Sequence, residues 1–426
     1  MAAAPSRKVA VVGGGWAGIA AAVEAVRLGH QVTLFEMAPQ LGGRARAVEA
    51  AGLTLDNGQH ILIGAYTDCL ALMRSVGMTE AQAFVRTPLR ITYPDGAGLQ
   101  LRPGHPMAAF AAAVLRQRTW RPHERIALLA ATTGWTLRGF RCDASLTVAQ
   151  LTARLPASVR DALIDPLCVA ALNTPASDAS ASVFLRVLKD ALFTGPGSAD
   201  LLLPRIDLSA LLPGSAQHWL TSAGAELRLR CRVESLTVQG GDWSLDGERF
   251  DRVVLASTAT EAARLTRAIA PEWSLVAASL RYEPILTVYL RSAGTRLPEP
   301  MLALRSDEQS PAQFVFDRGQ LGGPEGLLAF VVSGAQAWVD HGMEASLQAT
   351  LAQARTTLGA HLAAPLQHVQ TLTEKRATFR CTPGLTRPEM RLAPGLLAAG
   401  DYIDGPYPAT LEGAVRSGLR AARSLH

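Results

Sequence analysis

The feature that most constrains this chain lies near its start. Lys8–Val12 is a short apolar run suited to a strand buried on both faces of a parallel sheet. Gly13, Gly14, Gly15, Trp16, Ala17 and Gly18 turn the chain, and residues 19–28 are Ala-rich with good helix propensity. Gly29 supplies a helix stop and Gln31–Glu36 reads as a second strand. A strand–helix–strand unit of about 30 residues commits its neighbours, because a parallel sheet needs helices on both faces. Gly13, Gly15 and Gly18 stand at the G-x-G-x-x-G spacing. The first permits the tight turn, the second lets the backbone approach a pyrophosphate, and the third lets helix and strand pack closely. Trp16 and Ala17 open the helix, whose first N–H groups are free to face phosphate oxygens. The glycines alone would fit any glycine-rich turn. Glu36, ending the second strand where a carboxylate accepts from ribose hydroxyls, turns the reading to a dinucleotide.

Several other chemistries find no support. No Gly-Lys-Ser/Thr follows the glycines, so a Walker A loop is excluded, and no G-x-S-x-G elbow occurs. Cys69, Cys142, Cys168, Cys231 and Cys381 are odd in number and never form C-x-x-C, against a zinc site or a disulfide framework. His361 and His368 straddle Pro365 and share no helical metal face, so no metal is expected. A net charge of +5 over 426 residues, without a block of Lys and Arg, gives nucleic-acid binding little support. Val9–Val12 is too short for a signal sequence and residues 107–115 are too short to span a bilayer. A cytoplasmic chain that at most rests on the inner face of a membrane is the expectation.

Residues 86–217 hold long Ala/Leu/Arg stretches at helical spacing, such as 123–137 and Ala181–Phe193, and read as a mainly helical insertion. Residues 226–236, 243–245 and 252–256 read as short strands joined by Gly240-Gly241 and Asp246-Gly247 turns. Longer strands follow at 285–290, 313–316, Leu327–Val332 and 368–380, with a helix at 345–362. The tail reads strand, loop, helix. Within 106–140, Met107, Phe110, Leu115, Trp120, Ile126, Leu129, Trp135 and Phe140 recur among arginines; such periodicity predicts a helical core, the alternative being a membrane-facing amphipathic patch.

Three separated stretches resemble the flavin amine oxidase/phytoene desaturase superfamily. Behind Glu36 come a short spacer and Gly42-Gly43-Arg44. The resemblance implies that Gly42 and Gly43 pass close to an FAD diphosphate and that Arg44 lies near the flavin end. Near the C-terminus, Gly400-Asp401 is followed by Leu411-Glu412-Gly413-Ala414-Val415-Arg416-Ser417-Gly418. This implies that Gly400 and Asp401 close on the diphosphate and ribityl chain. It also implies that a helix opening with Leu411, Glu412 and Ala414 points at the isoalloxazine. In the middle, Cys231-Arg232-Val233 and residues 253–256 are similar to the family's adenine-side strand pair, with the Val233 backbone meeting the adenine. The implied fold class is α/β, a Rossmann-type FAD-binding domain with an inserted substrate domain of antiparallel sheet plus helices. The expected FAD-binding segments are 1–85, 218–275 and 381–426, and the substrate-binding segments 86–217 and 276–380.

Two stretches, 56–66 and 400–413, look like the hydroxysqualene dehydroxylase family within that superfamily. The resemblance implies an enzyme that uses FAD to remove the hydroxyl of hydroxysqualene reductively, giving squalene in hopanoid synthesis. A carotenoid-type desaturase on the same fold and a non-catalytic flavin-binding lipid carrier are the alternatives; the sequence names no electron donor. Such a reaction needs a general acid. The candidates are His60, in a turn that the family brings alongside the flavin, and Asp404 and Tyr407, in the loop before the last helix. The bland readings are a polar Asp-Asn-Gly turn for the first and loop packing for the other two.

Overall fold

The computed structural model describes residues 6–425. Its central element is a six-stranded sheet in the order Glu226–Leu229, Gln31–Glu36, Lys8–Val12, Arg252–Leu255, Leu396–Ala398 and Arg391–Ala393. The first five strands run parallel and the last is antiparallel to its neighbour. Three far-separated stretches of chain therefore build one sheet. In Lys8–Val12, residues 9–12 are buried, as a central parallel strand requires.

Helix Trp16–Arg27 follows the glycine turn and packs along the last helix, Leu411–Arg423. Their crossing is close because of Gly418: a Cβ there would stand 2.1 Å from the Ala17 carbonyl oxygen. Gly18 does the same for helix on strand, since a Cβ would lie 1.8 Å from the Gly13 carbonyl oxygen. Ile19, Val23, Val415 and Leu419 close this core.

A second, five-stranded antiparallel sheet runs in the order Met301–Ala303, Phe314–Asp317, Leu327–Val332, Tyr282–Arg291 and Gln367–Phe379. One face packs on the helical part, where Phe110, Trp120, Leu128, Trp135, Phe184 and Phe316 share an apolar cluster. The other covers helix Met343–Leu358. Fold class and mixed sheet architecture match the sequence expectation.

Several local expectations differ. Residues 86–217 are not only helical: Phe84–Thr87, Leu62–Ile63 and Leu201–Pro204 form a small antiparallel sheet, and Arg90–Thr92 pairs with Gly98–Gln100. The expected boundary at 217/218 falls inside helix Pro213–Ser222. Leu208, Leu211, Leu212 and Ala216 are buried with Val9 and Ile19, so this stretch packs into the core of the parallel sheet. Cys231-Arg232-Val233 continues no strand; the ladder ends at Leu229, and Arg230 adopts a left-handed conformation at φ 55°. Trp120 and Trp135 are 5% exposed, which assigns them to the core and not to a surface.

Candidate active site

A cavity of about 590 Å³ runs between the two sheets, within the usual size range of small-molecule sites. One end is built from backbone. Gly13, at φ 111°, has no room for a side chain, because a Cβ would lie 2.6 Å from the Ala256 carbonyl oxygen. Gly15 faces open space, where a Cβ would meet only the Gly43 Cα, at 3.9 Å. Gly42 N–H donates to the Gly14 carbonyl at 2.8 Å, so the two glycine loops form one cradle. Helix Trp16–Arg27 opens onto it with no side-chain cap and no acidic residue in its first turn. Its positive end and free N–H groups are left for an anion. Glu36 stands beside them, 7% exposed. One carboxylate oxygen accepts from Gly14 N–H at 2.6 Å and the other from Ala38 N–H at 2.7 Å. These groups fit a dinucleotide diphosphate and ribose.

Gly13, Gly15, Trp16, Ala17, Glu36, Gly42, Gly43 and Arg44 all line this end, as do Val233, Gly400, Asp401, Leu411 and Ala414 from elsewhere in the chain. Arg44 ties the wall together. Its guanidinium donates to Asp401 Oδ1 and to the Ala377 carbonyl, both at 2.7 Å, and to the Arg376 carbonyl at 3.3 Å. Gly18 and Glu412 do not line the cavity. Gly18 serves the helix–strand approach. Glu412 is fully buried and accepts from Asp68 and Cys69 N–H at 3.1 and 2.9 Å, capping helix Thr67–Ser75.

The other arm is apolar. Ile61, Val169, Ile285, Phe314, Phe316 and Val331 line it. Between the two arms sits the turn 57–61. A buried network fixes it from behind: Tyr289 Oη donates to the Asp56 carbonyl at 2.8 Å and accepts from Gln59 Nε2 at 2.9 Å. Arg318 donates to Gln59 Oε1 at 3.0 Å and lies 3.4 Å from the Asp56 carboxylate. Burial pushes the Asp56 carboxyl up to about 6 against the opposing pull of Arg318 and the Leu208 N–H.

His60 reaches the cavity. Its Nδ1 lies 3.3 Å from the Gly58 carbonyl, which can only accept, so Nδ1 carries the proton and Nε2 is left as an acceptor. Burial lowers its pKa below the ordinary histidine value, and Arg44 pushes the same way against the Gly58 bond. The ring is therefore mostly neutral at pH 7. Asp404 and Tyr407 stand elsewhere. The Asp404 carboxylate is 70% exposed and paired with Arg387 at 3.0 Å. The Tyr407 ring lies between the guanidinium groups of Arg186 and Arg416, at 5.3 and 4.4 Å, on a separate void of about 20 Å³. Neither faces the cavity, because Arg387 and Arg420 hold the loop outward through the Ile403 and Asp404 carbonyls.

Sequence reasoning missed Glu374. It sits on the edge strand Gln367–Phe379, in register with Ile285, and lines the cavity. Its carboxylate accepts from Asn57 Nδ2 at 3.0 Å and Arg376 N–H at 3.1 Å. A lone carboxylate in a strand carries no local signal that would have found it.

Comparison with known proteins agrees with this geometry. Residues 16–426 match the family model of the flavin containing amine oxidoreductases. A hydroxysqualene dehydroxylase of Rhodopseudomonas palustris is 28% identical over 98% of both chains. A probable zeta-carotene desaturase of Synechococcus elongatus is 40% identical, but over only 17% of this chain. Among solved structures, an oxidoreductase from Methanosarcina mazei superposes with a TM-score of 0.76 at 15% identity, covering 98% of this chain and all of its own. The family match runs from the first helix to the end of the chain and takes in most of the cavity lining, and the chain belongs to the flavin containing amine oxidoreductases.

Proposed function

We propose that this FAD-dependent oxidoreductase removes the hydroxyl of hydroxysqualene reductively and releases squalene. The observation that carries the reading is one continuous cavity with a diphosphate cradle at one end and an apolar arm at the other. The full-length likeness to a hydroxysqualene dehydroxylase supports the choice of substrate, whereas the likeness to the desaturase is confined to a short stretch.

Gly13, Gly15, Gly42 and Gly43 would give the diphosphate a backbone cradle clear of side chains, with Trp16 and Ala17 presenting the free N–H groups of the helix end. Glu36 takes the ribose, Val233 the adenine edge, and Gly400, Asp401, Leu411 and Ala414 the ribityl and flavin side. FAD held there in its reduced form would supply hydride-transfer chemistry. The apolar arm holds the isoprenoid chain and keeps water out. Hydroxysqualene is an allylic alcohol, so protonation of its hydroxyl releases water and leaves a delocalised cation. The ring faces of Phe314 and Phe316 favour positive charge near them.

The proton must come from a group at the junction of the arms. His60 meets the requirement only in its protonated form, so its depressed pKa predicts turnover that rises on acidification below pH 6.5. Glu374, held by Asn57, is the second group in reach and replaces Asp404 and Tyr407 as the alternative. On this reading the enzyme works in the cytoplasm at the inner face of a membrane, where squalene-type chains dissolve.

The test is one anaerobic turnover in heavy water with reduced FAD. A flavin N5 hydrogen exchanges with solvent, so squalene should carry one deuterium at the former carbinol carbon, with an equal amount of flavin oxidised. His60→Ala should slow this step by roughly 10²–10⁴-fold if His60 is the donor, and Glu374→Gln should do so if it is Glu374. Squalene without deuterium would sink the hydride step. New conjugated double bonds from phytoene, with no action on hydroxysqualene, would hand the chain to the desaturase reading.

A further inference from the structure

The outer side of the helical pair Pro106–Arg116 and Pro122–Leu137 differs from the rest of the surface. Residues 102–141 hold seven arginines against one carboxylate, Glu124, while the remaining chain has 34 basic and 35 acidic side chains. Essentially all the net positive charge of the protein is thus in this segment. Arg102, Arg116, Arg118, Arg121, Arg138 and Arg141 are exposed. None of the six enters an ion pair among the described residues, whereas Arg86, Arg228 and Arg416 each meet two carboxylates. Glu124 is occupied locally, accepting from Arg121 N–H and Ser158 Oγ, both at 2.6 Å.

Between the arginines the exposed face carries no charge. Ile126, Ala130, Thr133 and Leu137 stand at i, i+4, i+7 and i+11, one stripe of the second helix, and all are exposed. Ile126 is 64% and Leu137 83% exposed, and Leu115 on the neighbouring helix is 56% exposed. Thr133 donates its hydroxyl to the Leu129 carbonyl at 2.8 Å, so it adds no unsatisfied donor to the stripe. The inner faces of the same helices are buried with Phe314, Phe316 and Val331, which line the apolar arm of the cavity.

We propose that this outer face docks on an anionic lipid bilayer. An apolar stripe ringed by unpaired guanidinium groups matches both layers of such a surface: the stripe enters the acyl boundary and the arginines meet lipid phosphates. Charge complementarity alone would also suit a nucleic acid, but the uncharged stripe of Ile126 and Leu137 has no function against one. The docking does not depend on which isoprenoid occupies the cavity.

Flotation of the FAD-loaded full chain with phosphatidylcholine vesicles, with and without phosphatidylglycerol, tests it. The protein should float with the anionic vesicles, and less as salt rises. Arg118→Gln with Arg141→Gln should weaken binding about fivefold per arginine. Ile126→Ser with Leu137→Ser should weaken it about tenfold per side chain. All four positions are exposed, and flavin absorbance with the melting temperature checks that the variants fold. No flotation on anionic vesicles, equal flotation on phosphatidylcholine alone, or binding unchanged in both double variants would each overturn the proposal. Squalene formation from detergent-dispersed substrate would persist in any of those cases, so failure here stays separate from failure of the catalytic reading.

Discussion

Replacing Glu36 with Gln or Ala separates the loop bracing that the structure shows from the ribose binding proposed above. Glu36 accepts from Gly14 N–H at 2.6 Å and Ala38 N–H at 2.7 Å, one bond to each oxygen. A hydrogen bond to a charged group contributes about 1.5–3 kcal/mol. Gln has one acceptor oxygen, so its NH2 must face one of the two N–H donors and that bond is lost. The free protein should therefore lose about 1.5–3 kcal/mol in Glu36→Gln and more in Glu36→Ala. On the proposed reading the ribose hydroxyls would draw on the remaining lone pairs of the same oxygens, so FAD affinity should fall as well. Loss of one charge-assisted bond corresponds to about 10- to 150-fold in Kd at 1.4 kcal/mol per decade. The assay is FAD titration of the apoprotein by quenching of flavin fluorescence, beside a urea melt of the same apoprotein. A destabilised apoprotein that binds FAD with unchanged Kd would refute the ribose assignment and leave Glu36 as a brace for the glycine loop. Unchanged apoprotein stability would refute the bracing role.

Two further perturbations probe the frame around the site. Gly418→Ala places a Cβ 2.1 Å from the Ala17 carbonyl oxygen and 2.9 Å from the Ala20 Cβ, so the two helices must part; denaturant melts should show a loss of about 1–3 kcal/mol, with FAD held less tightly because Ala17 lines the cradle. Asp56, whose folded pKa is raised to about 6, binds a proton in the folded state that it has already lost in the unfolded chain above its ordinary value near 3.8. Its contribution is therefore present below that value and lost as pH rises through 6, by up to about 3 kcal/mol, and the pH-dependence of stability of Asp56→Asn should lack this slope; identical slopes in wild type and variant would contradict it.

The first βαβ unit was legible in the sequence because every constraint on it is local. Gly13 turns within two residues of the strand it ends, Gly18 meets Gly13, and Glu36 reaches back only 22 residues to Gly14. The longer strands around 285–290 and 327–332 were legible for the same reason, since a buried β-rich run declares itself residue by residue. The G-G-R and Gly-Asp stretches were found through resemblance, and only the fold brought Arg44 onto Asp401, 357 residues away.

Tertiary structure alone decided the chemistry at the junction. Glu374 joins the cavity because its strand pairs with Ile285 in one register and because Asn57, 317 residues distant, points at it. A register shift of one residue would turn that carboxylate to the other face of the sheet. His60 was visible as a candidate, but its neutrality comes from burial and from Arg44, which no local pattern encodes. Asp404 and Tyr407 are close in sequence to the last helix and were read as pocket residues on that ground. Arg387, Arg186 and Arg416 draw them away, and those pairings exist only in the folded chain. The arginines of residues 102–141 were equally plain in the sequence. That six of them are exposed and without carboxylate partners among the described residues, around a stripe whose tryptophan neighbours turn inward, follows from how two helices pack on one core. A sequence fixes which groups are present and the turns they can make; which of them face one another, and which face water, is set by contacts hundreds of residues apart.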